Sequence, residues 1–328
     1  MYQAIRTPYT CCNAVLLLFF NRFDTTKRVF AQIAKVKPPR IYLAGDGSRH
    51  TDDKAKIERI RAFLLGHISW DCEIHTRFLE TNLGCKLAIS SAISWFFSHE
   101  KQGIILEDDC LPNVSFFRFC DELLERYKHN EQVMMISGWS ALDFAPHTQV
   151  EHLCAKASLK EDYYFSKYNH IWGWASWARA WSRYQLTFKD FKNEFKILNN
   201  FSSKSEKTLW YNTFKAYAQG KIDTWDYPWT YSIWKHKGLC IYPKQNMILN
   251  IGLNRADATH TNTESKFSSM PAYELIFPLK HPRKVEQNYR LDSIDFKAVF
   301  QNRPLWAKLW AKIRAKLCII FHTNAHAL

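Results

Sequence analysis

The stretch Gly103-Ile104-Ile105-Leu106-Glu107-Asp108-Asp109 decides the fold: an apolar run stops abruptly at three carboxylates. A run with no polar alternation reads as a strand covered on both faces, as in a parallel sheet. Three adjacent carboxylates at its carboxyl end repel one another and are costly to desolvate unless a hard divalent cation or a cationic ligand neutralises them. That end of an open α/β sheet is also where ligands gather.

The scheme repeats upstream. Val15–Phe20 reads as a strand, followed by a helix with the stripe Val29, Phe30, Ile33 and Ala34. Ile41–Ala44 is a short strand ending at Gly45-Asp46-Gly47-Ser48, and Ile57, Ile60, Leu64 and Leu65 mark the next helix. Cys72–Thr76 forms a third strand, and Asn82-Leu83-Gly84 opens a helix carrying Ala88, Ile89, Ala92, Ile93, Phe96 and Phe97 at helical spacing. Repeated strand–helix order predicts an α/β fold, a doubly wound and mostly parallel sheet with helices on both faces.

Beyond the triplet, Phe116, Phe117, Cys120, Leu123, Leu124 and Tyr127 predict a helix, and Val133–Ile136 a strand ending at Ser137-Gly138-Trp139. Residues from about 140 to 265 are rich in tryptophan and tyrosine with few clean periods. We expect a nucleotide-binding half over 1–140, an acceptor-facing half of the same domain over 141–265, and an extension over 266–328. Within the extension, Trp306, Leu309, Trp310, Ile313, Leu317 and Ile320 share one helical face, and Lys308, Lys312, Arg314 and Lys316 supply charge. This basic helix over 304–321 suits a membrane surface with anionic lipid, and suits packing against the domain as well.

With 328 residues, 47% of them hydrophobic, a sizeable core is assured. The apolar run Ala14–Phe20 is too short for a membrane span or a signal sequence. Nine cysteines without a Cys-x-x-Cys pair give neither a disulfide framework nor a zinc site, so a reducing cytosol is expected, with peripheral contact at the inner face of the membrane. The formal charge of +14 predicts anionic company: nucleotide phosphates, acidic lipid or nucleic acid. No nucleic-acid recognition motif appears, and the tryptophans cluster away from the strongest basic run, so no nucleic-acid partner is expected.

Two acidic strand ends, Asp46 and the triplet, suit a nucleotide: one carboxylate accepts from ribose or base while another holds a metal that bridges phosphates. Asp46 reads equally as an Asp-Gly turn residue. Arg22 and Lys86 are the cations placed to meet a diphosphate, with helix amides after Asn82-Leu83-Gly84 adding to the attraction. The tryptophans of Ile171-Trp172-Gly173-Trp174-Ala175-Ser176-Trp177, with Trp139 and Trp181, read as core or as an apolar wall for an acceptor sugar, core being the preferred reading for most.

In order and spacing, Phe20-Asn21-Arg22, Asp46-Gly47-Ser48, Asn82-Leu83-Gly84, Glu107-Asp108-Asp109, Trp225-Asp226 and Asn250-Ile251-Gly252, followed by Thr259-His260-Thr261, resemble GT-A glycosyltransferases. More narrowly they resemble the hemolysin-related nucleotide-diphospho-sugar transferases and, distantly, the N-acetylglucosaminyltransferase of high-mannose glycans. The likeness covers roughly residues 14 to 262. It implies a Rossmann-like GT-A sheet and a divalent cation, Mn²⁺ or Mg²⁺, on Asp109. Asp108 then serves the ribose or the metal shell, and Glu107 faces the donor sugar. His260 falls near the diphosphate or metal. Asn21, Arg22, Asp46 and Lys86 join Glu107 and Asp108 as the nucleotide-sugar residues. Asp226 takes the position of the base that deprotonates the acceptor hydroxyl; Asp223 is its near competitor, and a helix N-cap is the plainer role for either. Glu107 departs from a strict Asp-x-Asp pattern.

The expected activity is thus transfer of a sugar, with inversion, from a nucleoside diphosphate, uridine most of all, to a hydroxyl of a glycan or lipid-linked glycan in cell-surface polysaccharide or lipopolysaccharide synthesis. The competing expectations are a sugar-binding module without turnover and a nucleic-acid-binding protein.

Overall fold

The computed structural model describes residues 9–143, 156, 158–188, 193, 195–201, 203–255, 265, 267–268 and 270–301. His260 and the basic helix expected over 304–321 lie outside the described residues.

The first half follows the strand–helix order: β1 (Ala14–Phe19), α1 (Phe23–Val36), β2 (Arg40–Gly45), α2 (Thr51–His67), β3 (Glu73–Phe78), α3 (Gly84–His99) and β4 (Gln102–Glu107). These strands lie in the order β3-β2-β1-β4, all parallel. Beyond β4 come β5 (Cys110–Pro112), α4 (Val114–Arg126) and β6 (Val133–Ser137). The aromatic-rich half adds β7 (Tyr163–Ser166), β8 (Trp174–Trp177), a one-turn helix α5 (Ala178–Trp181), α6 (Lys204–Ala218), α7 (Asp226–Lys235), β9 (Leu239–Pro243) and β10 (Ile248–Asn250), and α8 (Tyr289–Asp295) follows.

One eight-stranded sheet, β3-β2-β1-β4-β8-β6-β9-β7, runs through both halves. β8 inserts antiparallel between β4 and β6, and β7 lies antiparallel on β9; the other six strands point one way. A separate ribbon pairs β10 antiparallel with β5, directly after the triplet.

Alternation along each strand divides the core in two, because successive side chains leave a strand on opposite faces. Ala14, Leu16 and Leu18 pack with α3 and the aromatic elements, whereas Val15, Leu17 and Phe19 pack with α1, α2 and α4. Helices therefore cover both faces. On β4, Ile105 enters the first cluster and Ile104 and Leu106 the second, each fully buried. Burial of each such side chain stabilises the fold by roughly 2 kcal/mol, which fixes the strand that carries the acids.

Leu65 departs from its expected place. It is 45% exposed, because α2 buries only the narrow stripe Asp53, Ile57, Ile60 and Leu64, and a residue adjacent to Leu64 is rotated well off that stripe. β3 is largely exposed and edges the sheet, where charged side chains such as Glu73 and Arg77 discourage pairing with another chain. Among the described residues no helix is long and apolar enough to cross a membrane.

Gly47 sets how closely the loop after β2 approaches the loop before α3. A Cβ there would lie 2.2 Å from the carbonyl carbon of Thr81, a backbone atom that cannot swing away. Gly47→Ala should therefore lower stability in urea by about 3 kcal/mol. Gly66→Ala, in α2 and facing open space, should be neutral or stabilising by up to about 1 kcal/mol; equal effects from the two would contradict this packing.

Candidate active site

The register of β1 on β4 brings the site together. Leu18 pairs with Glu107, so the residues that leave β1 run beside those that leave β4. The Phe20 amide donates to Asp108 Oδ2 at 3.2 Å, and Arg22 Nη1 stands 3.3 Å from Asp109 Oδ2. On the opposite side the Ile251 amide donates to the Asp109 carbonyl at 2.8 Å. Gly252 is pressed so closely on this carboxylate that a Cβ would come within 2.1 Å of Oδ2. Glu107 Oε1 is shut from solvent and takes no hydrogen bond among the described residues.

Burial pushes the Glu107 carboxyl well above the usual range, and the charges of Asp109, Asp108 and Asp226 push it further. Asp108 is raised to about 7, chiefly by burial and then by Asp109, against the Phe20 amide, Arg22 and Arg255. Asp109 is raised by burial too, and Arg22 opposes the rise most strongly. Like charges about 4 Å apart repel by roughly 4 kcal/mol at an effective dielectric near 20, so the triplet calls for positive charge. Part of it comes from Arg255, a residue that the sequence pattern did not single out; it lies just past Asn250-Ile251-Gly252 and pairs with Asp24 in the first turn of α1 at 2.5 Å.

The donor set fits a hard divalent cation. Asp108 and Asp109 offer carboxylate oxygens, and beside them Glu107 Oε1 is buried with no hydrogen-bond partner among the described residues. Among the described residues no three His, Cys, Asp or Glu side chains converge as a metal cluster. A site of one or two carboxylates completed by phosphate oxygens and water is how Mg²⁺-type cations are held, and Asp109 with Asp108 would be its protein ligands.

The other residues singled out by sequence occupy different places. Asp46 accepts from the Gly47 and Leu83 amides through Oδ1, at 2.8 and 2.9 Å, and from Asn82 Nδ2 and the Gly84 amide through Oδ2, at 2.8 and 3.1 Å. The amides at the start of α3 thus receive an anion from within the chain. Asn21 Nδ2 donates to Asp53 at 2.7 Å, and Arg49 grips the same buried carboxylate, holding it well below the usual range. Lys86 Nζ stands 4.6 Å from the ring centre of Tyr217 on α6.

Asp226 is the first residue of α7, and Thr224 Oγ1 donates to its carboxylate. Its charge is felt at Glu107, and the Cys85 thiol is pushed up to about 12 by burial and then by Glu107, Asp226, Asp223 and Asp46. Asp223 Oδ2 would be 3.7 Å from a Cβ on Gly84, whose φ of 75° belongs to the left-handed region. Asp46 and Asp223 therefore lie at the start of α3, within electrostatic reach of the Cys85 thiol together with Glu107 and Asp226.

Of the tryptophans, Trp174, Trp177 and Trp181 are core: Trp174 stacks on Trp225 at 5.7 Å, and Trp181 on Tyr184 at 4.2 Å. Trp139, itself buried in the core, and half-buried Trp172 also line a cavity of about 250 Å³ with Arg28, Ile248, Asn250 and Phe267. Gly173 lies beneath it, where a Cβ would meet Ile248 Cδ1 at 2.6 Å.

No protein-family model and no curated relative matches the chain. Among solved structures it is similar to GalNAc-T7 with UDP, GalNAc and Mn²⁺, at 12% identity and a TM-score of 0.40, over 71% of this chain and 43% of that one. It is also similar to a mannosyltransferase from Pyrobaculum calidifontis in complex with GDP-Man and Mn²⁺, at 12% identity and a TM-score of 0.32, over 52% and 48%. The chain thus spans less than half the length of either. The α/β architecture rests on the sheet itself.

The raised carboxyls fix a pH response. The folded protein keeps a proton on Asp108 that the unfolded chain releases near pH 4, so the penalty of the crowded acids is absent below pH 4, grows with rising pH and is complete above about 7. Asp108→Asn, which can still accept from the Phe20 amide, should raise stability in urea by ~2 kcal/mol at pH 8 and leave it unchanged at pH 4. A gain of equal size at both values would remove the electrostatic cause.

Proposed function

We propose that this chain is a metal-dependent glycosyltransferase that moves a sugar from a nucleoside diphosphate, uridine diphosphate first among them, to a hydroxyl of a glycan. The observation that carries the reading is the buried triplet at the carboxyl edge of the sheet, with Glu107 Oε1 unpartnered and Asp226 close enough to act on it. A site that stores desolvated negative charge next to guanidinium groups suits a ligand that brings both phosphate and a cation.

Asp109, with Asp108, would hold Mn²⁺ or Mg²⁺, which supplies Lewis-acid stabilisation of the charge that grows on a departing diphosphate. Arg22 and Arg255 would balance the same charge. Glu107, whose carboxyl burial pushes well above the usual range, would face the donor sugar and hydrogen-bond one of its hydroxyls. Asp226 would take the proton from the acceptor oxygen, poised by Thr224 and the aromatic residues around α7. With Asp226 as the base, transfer would be a single displacement with inversion and no glycosyl-enzyme. Glycan or lipid-linked glycan acceptors both suit this chemistry, and cell-surface polysaccharide is the product class proposed.

Uridine diphosphate with Mn²⁺ should raise the melting temperature, since saturation to about a hundred times Kd adds about 2.7 kcal/mol of stability. Asp109→Ala should abolish the shift. Asp226→Asn should keep it and lower transfer roughly 10²- to 10⁴-fold. Absence of any shift with uridine or guanosine diphosphate would sink the reading, and loss of nucleotide binding in Asp226→Asn would take Asp226 out of the base role.

A further inference from the structure

The cavity lined by Trp139 and Trp172 has a built aromatic corner. Trp139 meets Trp172 and Phe267 at 5.6 Å each, with interplanar angles of 80° and 87°, and Trp172 meets Phe267 at 5.9 Å and 80°. The three ring planes thus stand nearly perpendicular to one another. Trp139 is almost wholly buried and backs the corner, whereas Trp172 and Phe267 are half-buried. The corner is set in advance. The Trp139 amide donates to Ser137 Oγ at 3.2 Å, that hydroxyl donates to the His170 carbonyl at 2.8 Å, and the His170 ring packs against Trp139 at 4.3 Å.

One segment of chain separates this cavity from the acids. Asn250, Ile251 and Leu253 line the cavity, while the Ile251 amide bonds the Asp109 carbonyl and Gly252 presses on the Asp109 carboxylate. The polar groups that the lining offers are donors. Arg28, an exposed residue of α1, lines the cavity and has no ion pair among the described residues; Asp24, one turn earlier, pairs with Arg255. Asn250 Oδ1 accepts from the Gly252 amide at 2.9 Å, which leaves Nδ2 for a ligand. Ser268 Oγ is already engaged, donating to the Ser265 carbonyl and accepting from Asn254 Nδ2, each at 2.8 Å. Indole N–H groups only donate. A ligand here has to bring acceptors, and the acceptor that best matches a guanidinium is a carboxylate.

We propose that this cavity seats one acidic sugar, a hexuronate, of the acceptor glycan, with its carboxylate toward Arg28 and Asn250 Nδ2 and its C–H face against Trp172 and Phe267. The volume of about 250 Å³ lies below the roughly 300–1,000 Å³ of clefts that take drug-sized ligands, and so suits a single ring. Aromatic walls supply contact area for that ring, and the guanidinium selects a charged sugar over a neutral one. Arg28 is then a specificity-determining residue. The proposal deepens the glycosyltransferase reading and rests on it for the word acceptor; binding of the sugar itself needs neither cation nor nucleotide.

The test is a ligand-observed NMR titration of the full chain with methyl β-glucuronide and methyl β-glucoside, beside the melting shift with uridine diphosphate and Mn²⁺. The glucuronide should bind about tenfold more tightly than the glucoside. Arg28→Gln should remove that preference by weakening the glucuronide alone, and Trp172→Leu should weaken both sugars. Lys27→Gln deletes the same charge one residue away, at an exposed position that does not line the cavity, and should change neither. Equal affinities for the two sugars, or equal losses in Arg28→Gln and Lys27→Gln, would show a general charge effect and overturn the proposal. Displacement of the glucuronide by uridine diphosphate would give the cavity to the nucleotide and overturn it too. A melting shift without a glucuronide preference leaves the transferase reading standing and the subsite wrong. An Arg28-dependent preference without a melting shift keeps the acidic-sugar site and removes the transferase reading.

Discussion

Desolvation of negative charge at the end of β4 is the constraint on which the rest depends. A strand buried on both faces delivers Glu107, Asp108 and Asp109 in succession to its carboxyl end. The Phe20 amide reaches Asp108, Arg22 and the Cys110 thiol reach Asp109, and Glu107 Oε1 has no hydrogen-bond partner among the described residues. Such an arrangement lowers stability in the free protein. Structures tolerate that cost where a ligand later removes it.

The scaffold that bears this strain is aromatic. β8 carries Trp174 and Trp177 into the two opposite cores, so one short strand staples both layers. Trp174, Trp225, Trp229 and Trp181 then form a continuous set of ring contacts beneath α7. Large rings with few rotatable bonds lose little entropy on burial, and they hold the first turn of α7, and with it Asp226, against the sheet.

The parallel half of the sheet was legible because its helices show a 3.6 period and β1 and β4 are unbroken apolar runs, β3 at the edge being the polar exception. The aromatic half was not. β7, Tyr163–Ser166, and β8, Trp174–Trp177, are buried on both faces and only four residues long, so no period can develop. The ribbon of β5 and β10 joins segments that are far apart in the chain, which local pattern cannot reveal. At the site, the triplet and its need for countercharge were readable from residue type. The partners were not: Asp46 gives its oxygens to the loop at Asn82–Gly84, and Asn21 braces Asp53, because hydrogen-bond bookkeeping depends on which loops meet. Arg255 escaped notice for the same reason.

The antiparallel insertion of β8 has a consequence for how the chain can fold. β4 and β6 belong to the first 140 residues, yet they do not touch as neighbours; the strand between them is supplied from residues 174–177. A fragment ending before that strand would leave β6 without its place and β4 with an open flank of unpaired amides and carbonyls. The first 140 residues are thus a half in sequence but no autonomous unit. The strand that leads to the three acids acquires its second neighbour only once residues 174–177 have arrived, so the acidic edge and the scaffold behind it are completed in one cooperative event.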